Sequence, residues 1–195
     1  ARSESSKFFP KDKCLVVGNP ILPEIEKILP KSEISDPPQI LVTGGSRGSM
    51  AINSLIGEVL EELLSKYKLI HHTGELDFPK FEKRKSQLAG AAKERYEVYS
   101  HIPAKDMPRI LEKADILVAR AGANTVSEAM AAKKPSILIP LPFSYLDEQT
   151  KNAGFAQKFG VAKVLLQEGL TGKRLFKEID ETIESWQATV SKVKA

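Results

Sequence analysis

Gln39-Ile40-Leu41-Val42-Thr43-Gly44-Gly45-Ser46-Arg47-Gly48-Ser49, running into Met50–Lys66, is the stretch on which the fold turns. Four apolar or β-branched residues in a row read as a strand buried on both faces. Leu55, Ile56, Val59, Leu60, Leu63 and Leu64 recur at helical spacing and form one apolar stripe. Between strand and helix lies a glycine-rich turn. Glycines permit positive φ and close backbone approach, and a helix N-terminus offers unpaired N–H groups to an anion. A phosphate site or a tight turn capped by Ser49 are the two readings of this loop. The spacing matches neither GxxxxGK[ST] nor GxGxxG, which speaks against kinases and the usual dehydrogenases.

The same alternation continues outward. Apolar runs occur at Cys14–Val17, Leu69–His72, Glu97–Tyr99, Ile116–Ala119, Ile137–Pro140 and Val161–Leu165. Helical patterns lie near Phe81–Lys93, Met107–Lys113, Thr125–Lys133, Glu148–Lys158 and Gly172–Trp186. Loops are expected at Pro30–Pro38, Gly74–Pro79 and Pro140–Leu146. Repeated β-α units predict the α/β class, a Rossmann-like parallel sheet with helices on both faces. No repeat or linker divides the chain. Ligands of such sheets bind at the carboxyl ends of the strands, so the loops after strands are the places to look.

Three more such loops carry candidate residues. Arg120-Ala121-Gly122-Ala123-Asn124-Thr125-Val126-Ser127-Glu128 follows one strand and opens a small-residue helix. Glu128 has two readings: the far end of a Thr125-x-x-Glu128 capping box, or a carboxylate accepting ribose hydroxyls. Pro140–Ala153 contains Asp147, readable as a helix cap, which together with Gln149 could grip sugar hydroxyls. Gly18-Asn19-Pro20 reads as a turn.

Composition narrows the classes. Of 195 residues, 42% are hydrophobic and 28% charged, the balance of a folded globular domain rather than a disordered chain. The net charge of +4 suits anionic ligands, but the lysines are scattered, and nucleic acid is not expected as a partner. No apolar run is long enough to span a bilayer. The polar N-terminus has no signal-peptide core, and a start without Met fits an excised or processed fragment. One cysteine, Cys14, permits no intrachain disulfide and reads as a buried strand residue. His71 and His72 are adjacent, so on a strand they face opposite ways. With His101 remote, no metal-ligand spacing exists, and no metal or cofactor is expected.

Taken in order, Gly18-Asn19-Pro20, Thr43-Gly44-Gly45-Ser46-x-Gly48, His72-Thr73-Gly74, Arg120-x-Gly122-Ala123-x-Thr125-x-x-Glu128 and Gln149-Thr150-Lys151-Asn152-Ala153 form a set. Over roughly Val16 to Leu165 the chain resembles the C-terminal domain of the MurG-type peptidoglycan N-acetylglucosaminyltransferases. The resemblance implies the C-terminal half of a GT-B glycosyltransferase, a hexosyltransferase that binds UDP-GlcNAc. It further implies inverting transfer of GlcNAc to lipid I, making lipid II, peripherally on the cytoplasmic face of the plasma membrane. By that resemblance Gly45, Ser46 and Gly48 hold the diphosphate with amides of Gly122, Ala123, Asn124 and Thr125. Glu128 then binds the ribose, Asp147 and Gln149 face the GlcNAc, and Ile102 lines the uracil pocket.

No catalytic residue is expected in this chain, because the family's His-containing acceptor loop is not in the sequence. The base and the lipid I site are expected in a missing N-terminal domain, so the half alone is expected to be inactive. Residues 1–10 are read as the end of the interdomain connection, 11–187 as the nucleotide-sugar-binding domain and 188–195 as a tail. Leu22 stands where the family usually has Arg, and Asn124 where it usually has Leu. Alternatives are a GT-B transferase with another glycolipid acceptor, or a nucleotide-sugar-binding module completed by a partner subunit.

Overall fold

The computed structural model of the protein describes residues 9–15 and 17–194. In chain order the helices and strands are α1 (Pro23–Glu26), β1 (Gln39–Thr43), α2 (Met50–Glu58), α3 (Leu60–Lys66), β2 (Lys68–His72), α4 (Phe78–Gln87), α5 (Gly90–Glu94) and β3 (Tyr96–Tyr99). They continue with α6 (Met107–Lys113), β4 (Ile116–Ala119), α7 (Ala123–Ala131), β5 (Ser136–Leu138), α8 (Glu148–Phe159), β6 (Ala162–Val164), α9 (Gly172–Glu184) and α10 (Trp186–Lys194). The six strands form one sheet in the order β3-β2-β1-β4-β5-β6, and every neighbouring pair is parallel. The chain winds one way from β1 to β3, then returns to the other side of β1 with β4. That reversal opens a crevice between the carboxyl ends of β1 and β4.

Side chains on a strand alternate between faces, and here both faces are buried. Ile40, Val42, Ile116, Val118 and Ile137 join the core under α2, α3, α9 and α10. Leu41, Leu117, Ala119 and Leu138 join the opposite core with residues of α1, α6, α7 and α8. This two-sided burial is why the strands read as unbroken apolar runs.

Local departures have local causes. The single helix expected over Met50–Lys66 is two, because the backbone at Val59 leaves helical geometry (φ −124°, ψ 18°). Nearby, the Arg84 guanidinium donates to the Gly57 carbonyl at 2.7 Å. The helix expected over Phe81–Lys93 is also two, α4 ending before Leu88, which is extended.

No strand forms at Cys14–Val17 among the described residues: Leu15 is 83% and Val17 74% exposed, and Cys14 is half-buried. An apolar, β-branched composition favours extended backbone but does not supply a sheet edge to pair with. Of the expected connection at 1–10, residues 1–8 lie outside the described residues. At the other end, the boundary expected at 187/188 falls inside α10. Trp186, Val190 and Val193 are buried by packing back on the sheet's two cores, and the Trp186 indole donates to the Asp115 carbonyl at 3.0 Å.

Candidate functional site

The loop after β1 is a tight turn built on glycine. The Gly48 amide donates to the Gly45 carbonyl at 2.9 Å, and the Gly45 amide donates to the Thr43 hydroxyl at 3.1 Å. Ser49 then caps α2, accepting from the Ile52 amide at 3.4 Å. The loop is therefore a capped turn that puts a glycine backbone at the crevice. The two positive-φ glycines differ. Gly45 (φ +87°) has open space where a β-carbon would be, whereas a β-carbon on Gly48 (φ +76°) would lie 2.0 Å from the Thr73 carbonyl oxygen. Gly48 is thus pressed against the loop after β2 and does not line the crevice, contrary to the expectation that it approaches a ligand.

Behind this turn the polar groups are saturated. Asn53 donates to the Thr73 carbonyl at 2.8 Å and to Asp77 Oδ2 at 2.7 Å. Its amide protons being used, its oxygen accepts from His71 Nε2 at 3.0 Å, which leaves His71 Nδ1 to accept from the Tyr96 hydroxyl at 3.0 Å. Burial first, then the neighbouring His72, pulls His71 down from 6.5 to about 3. His71 is a neutral structural residue.

On the other side of the switch, Arg120 follows β4 and is buried. Its Nε donates to Ser49 Oγ at 3.1 Å, its Nη1 to the carbonyls of Ile139 and Pro140 at 3.0 and 3.3 Å, and its Nη2 to Gln167. This guanidinium ties the cap of α2 to the end of β5. All three of its nitrogens are occupied by protein, so it is a brace rather than a phosphate ligand.

Helix α7 begins three residues earlier than its capping signal implied. Gly122 is the N-cap and makes no side-chain bond, and the first helical bond is from the Val126 amide to the Gly122 carbonyl at 3.0 Å. The amides of Ala123, Asn124 and Thr125 are therefore the unpaired donors of this terminus. Thr125 and Glu128 lie inside the helix, so the capping-box reading of Glu128 fails. Its carboxylate has no hydrogen bond or ion pair among the described residues, and burial raises its pKa above 4.5.

These elements surround one cavity of about 520 Å³. Of the residues expected at a site, Gly45, Ser46, Ile102, Asn124, Thr125 and Glu128 line it. Gly122 and Ala123 sit beside it in the turn and first residue of α7. Asp147 and Gln149 do not line it. Gln149 braces its own loop, its Oε1 accepting from the Leu141 amide at 3.0 Å. Asp147 precedes α8 in a left-handed conformation (φ 54°) without making a side-chain cap bond. Leu146 before it is also left-handed (φ 50°).

Other lining residues were not assigned to a ligand from the sequence. Thr43, His72 and His101 add polar groups, while Leu22, Leu41, Met107, Leu111 and Leu117 make an apolar end. The turn Gly18-Asn19-Pro20, read on its own as a turn, reaches the site: Asn19 Nδ2 donates to Asn124 Oδ1 at 2.9 Å. Its only local signal was a turn asparagine ahead of proline. Among the described residues no cluster of three or more His, Cys, Asp or Glu could hold a metal. No described helix is long and apolar enough to cross a membrane.

The site is thus a crevice at a strand-order switch. It carries a glycine turn, a helix N-terminus with free amides, an unpaired carboxylate one turn further on, and an apolar end. Residues 39–195 match the family described as glycosyltransferase family 28 C-terminal domain. A protein of Solibacter usitatus (strain Ellin6076), named UDP-N-acetylglucosamine--N-acetylmuramyl-(pentapeptide) pyrophosphoryl-undecaprenol N-acetylglucosamine transferase, is 36% identical over 90% of this chain and 48% of its own length. A Bacillus cereus (strain ATCC 14579) protein of the same name, numbered 1, is 33% identical over 91% of this chain and 50% of its own. The chain spans about half the length of the curated relatives it matches. The crystal structure of Acinetobacter baumannii MurG aligns with a TM-score of 0.66 at 26% identity, covering 86% of this chain and 50% of that one. The kitacinnamycin glycotransferase shares the fold, with a TM-score of 0.57 at 19% identity over 80% of this chain and 38% of that one. The matched family model covers most of the sequence and the whole of the sheet, and the chain belongs to the glycosyltransferase family 28 C-terminal domain family.

Proposed function

We propose that this chain is the donor-binding half of an inverting N-acetylglucosaminyltransferase that takes UDP-GlcNAc. The observation that carries the reading is Glu128, a half-buried carboxylate without a partner among the described residues, one helical turn beyond three free amides. That pairing suits a ribose next to a diphosphate. The amides of Ala123, Asn124 and Thr125 and the backbone around Gly45 and Ser46 stabilise the diphosphate. Glu128 accepts from the ribose hydroxyls, and the base lies toward Ile102 in the apolar end. Asp147 and Gln149, outside the cavity, are assigned to the sugar that projects from its mouth.

In the reaction an acceptor oxygen attacks the anomeric carbon while the bond to the diphosphate breaks. The leaving oxygen takes the electron pair, and helix-terminal N–H groups stabilise the charge. The acceptor proton passes to a base on the other domain. The relatives' name points to a lipid-linked muramyl acceptor, hence to the cytoplasmic membrane surface, with no nucleic acid partner.

Calorimetric titration of the chain with UDP-GlcNAc, UDP-glucose and ADP-glucose tests the donor assignment. UDP-GlcNAc should bind most tightly. Binding of ADP-glucose as tight as that of UDP-GlcNAc would remove it.

A further inference from the structure

Thr43 and His72 are register partners at the carboxyl ends of β1 and β2. Thr43 Oγ1 lies 3.0 Å from His72 Nδ1 and accepts the Gly45 amide at 3.1 Å. Burial, then the neighbouring His101, pulls the His72 pKa below 6.5, with the Ser100 backbone opposing, so the ring is neutral. A neutral imidazole carries one proton. If that proton sat on Nδ1, Thr43 would accept two N–H groups and its own hydroxyl proton would lack an acceptor. Nε2 has no hydrogen-bond partner among the described residues, so its lone pair would be unpaired as well. With the proton on Nε2, the Thr43 hydroxyl donates to Nδ1 and only one group is left unpaired. The second arrangement is the cheaper one.

The result is a chain of bonds from Gly45 N–H to Thr43 O–H to His72. Both Thr43 and His72 are nearly buried, at 5% and 3% exposure, so little water reaches the bond between them. Gly45 has open space on its β-carbon side, and its carbonyl is held by the Gly48 amide. The hydrogen bond from the Gly45 amide to Thr43 Oγ1 holds the start of the loop against the end of β1. The Thr43 hydroxyl keeps its lone pair aimed at Gly45 only while its proton is held elsewhere.

We propose that His72 is a positioning residue for the glycine turn. Acting through the Thr43 hydroxyl, it sets where the Gly45 backbone stands and so how well a diphosphate fits. The inference rests on the reading that this turn receives the diphosphate.

The test uses the full chain and titrates UDP and uridine into His72→Phe, His72→Asn and Thr43→Val. Phe keeps a ring but has no acceptor, while the Asn side-chain oxygen can stand near the position of Nδ1. His72→Phe should weaken UDP about three- to tenfold, the size of one lost hydrogen bond, and uridine less than about twofold. His72→Asn should return UDP to within about twofold of wild type. Thr43→Val should match His72→Phe, and the double variant should lose no more than either alone. Unchanged UDP affinity in His72→Phe, or in Thr43→Val if the Phe variant does not fold, overturns the inference. So does an Asn variant as weak as the Phe variant, or an equal loss for uridine. A wild-type chain that binds UDP no better than uridine overturns the reading of the turn itself, and the inference with it.

Discussion

Gly48 and Gly74 interlock. A β-carbon on Gly48 would lie 2.0 Å from the Thr73 carbonyl oxygen, and one on Gly74 would lie 2.2 Å from the Arg47 carbonyl oxygen. Each also has positive φ, at +76° and +79°. The loops after β1 and β2 can therefore meet only through two glycines.

Substituting either glycine should act on stability first. Gly48→Ala and Gly74→Ala are each expected to lower stability by about 2 kcal/mol or more, from backbone clash plus left-handed strain. Gly45→Ala has room for its methyl group, so it should cost only about 1 kcal/mol while weakening UDP more than uridine. Urea denaturation alongside ligand titration checks the contrast. A stable Gly48→Ala chain would contradict the packing described.

Glu128 gives two opposed effects. Its folded-state pKa is raised by burial above the ordinary 4.5, so its ionised form is disfavoured by folding. The associated stability is full below about pH 4.5 and is lost as pH rises through the raised value. Glu128→Gln should therefore unfold at higher temperature near pH 7, with the gap closing below about pH 4.5. The same change should weaken UDP about tenfold and leave 2′-deoxy-UDP much less affected, because a charge-assisted bond to the 2′-hydroxyl is lost. Equal losses for both nucleotides would count against the ribose contact.

His71 sets an acid limit. Its folded pKa of about 3 lies below its ordinary 6.5, so the unfolded chain binds this proton first. Stability present above about pH 6.5 should fall as pH drops toward 3, by up to about 1.4 kcal/mol per pH unit from this group. His71→Gln should be less stable at pH 7 but flatter with pH over that window. Denaturant midpoints between pH 7 and 4 measure it, and parallel curves for the two chains would exclude the assignment.

Arg120 braces three elements at once. Arg120→Met leaves the carbonyls of Ile139 and Pro140 without their donor and should cost about 2–4 kcal/mol. Arg120→Lys should recover only part of this, since an ammonium cannot span the same fork. Equal stability of the Lys chain and wild type, by chemical denaturation, would show that the fork is not needed.

The sheet was readable because Ile40 and Val42 feed one core while Leu41 feeds the other, so the whole run is apolar. The same composition misleads at Leu15 and Val17, where extended backbone finds no neighbouring strand. Thr125-x-x-Glu128 has the letters of a capping box, but Ala123 and Asn124 enter the helix first, so the real cap is the silent Gly122. Adjacent histidines on a strand were expected to face opposite ways, and they do: His71 contacts Asn53 and Tyr96, and His72 lines the cavity. The contact of Asn19 with Asn124 joins positions 105 residues apart, and no local pattern carries a pairing at that distance. Gly45 and Gly48 look alike in sequence, and only the loop after β2 separates their roles.

The central claim is that the free amides of α7 and the glycine turn hold a diphosphate. Calorimetric titration of the wild-type chain with uridine, UMP and UDP under one set of conditions tests it most directly. Affinity should rise with each phosphate, UDP binding at least about tenfold more tightly than uridine through charge-assisted bonds to backbone amides. Equal affinity for all three ligands, or no binding of UDP at all, would contradict the account.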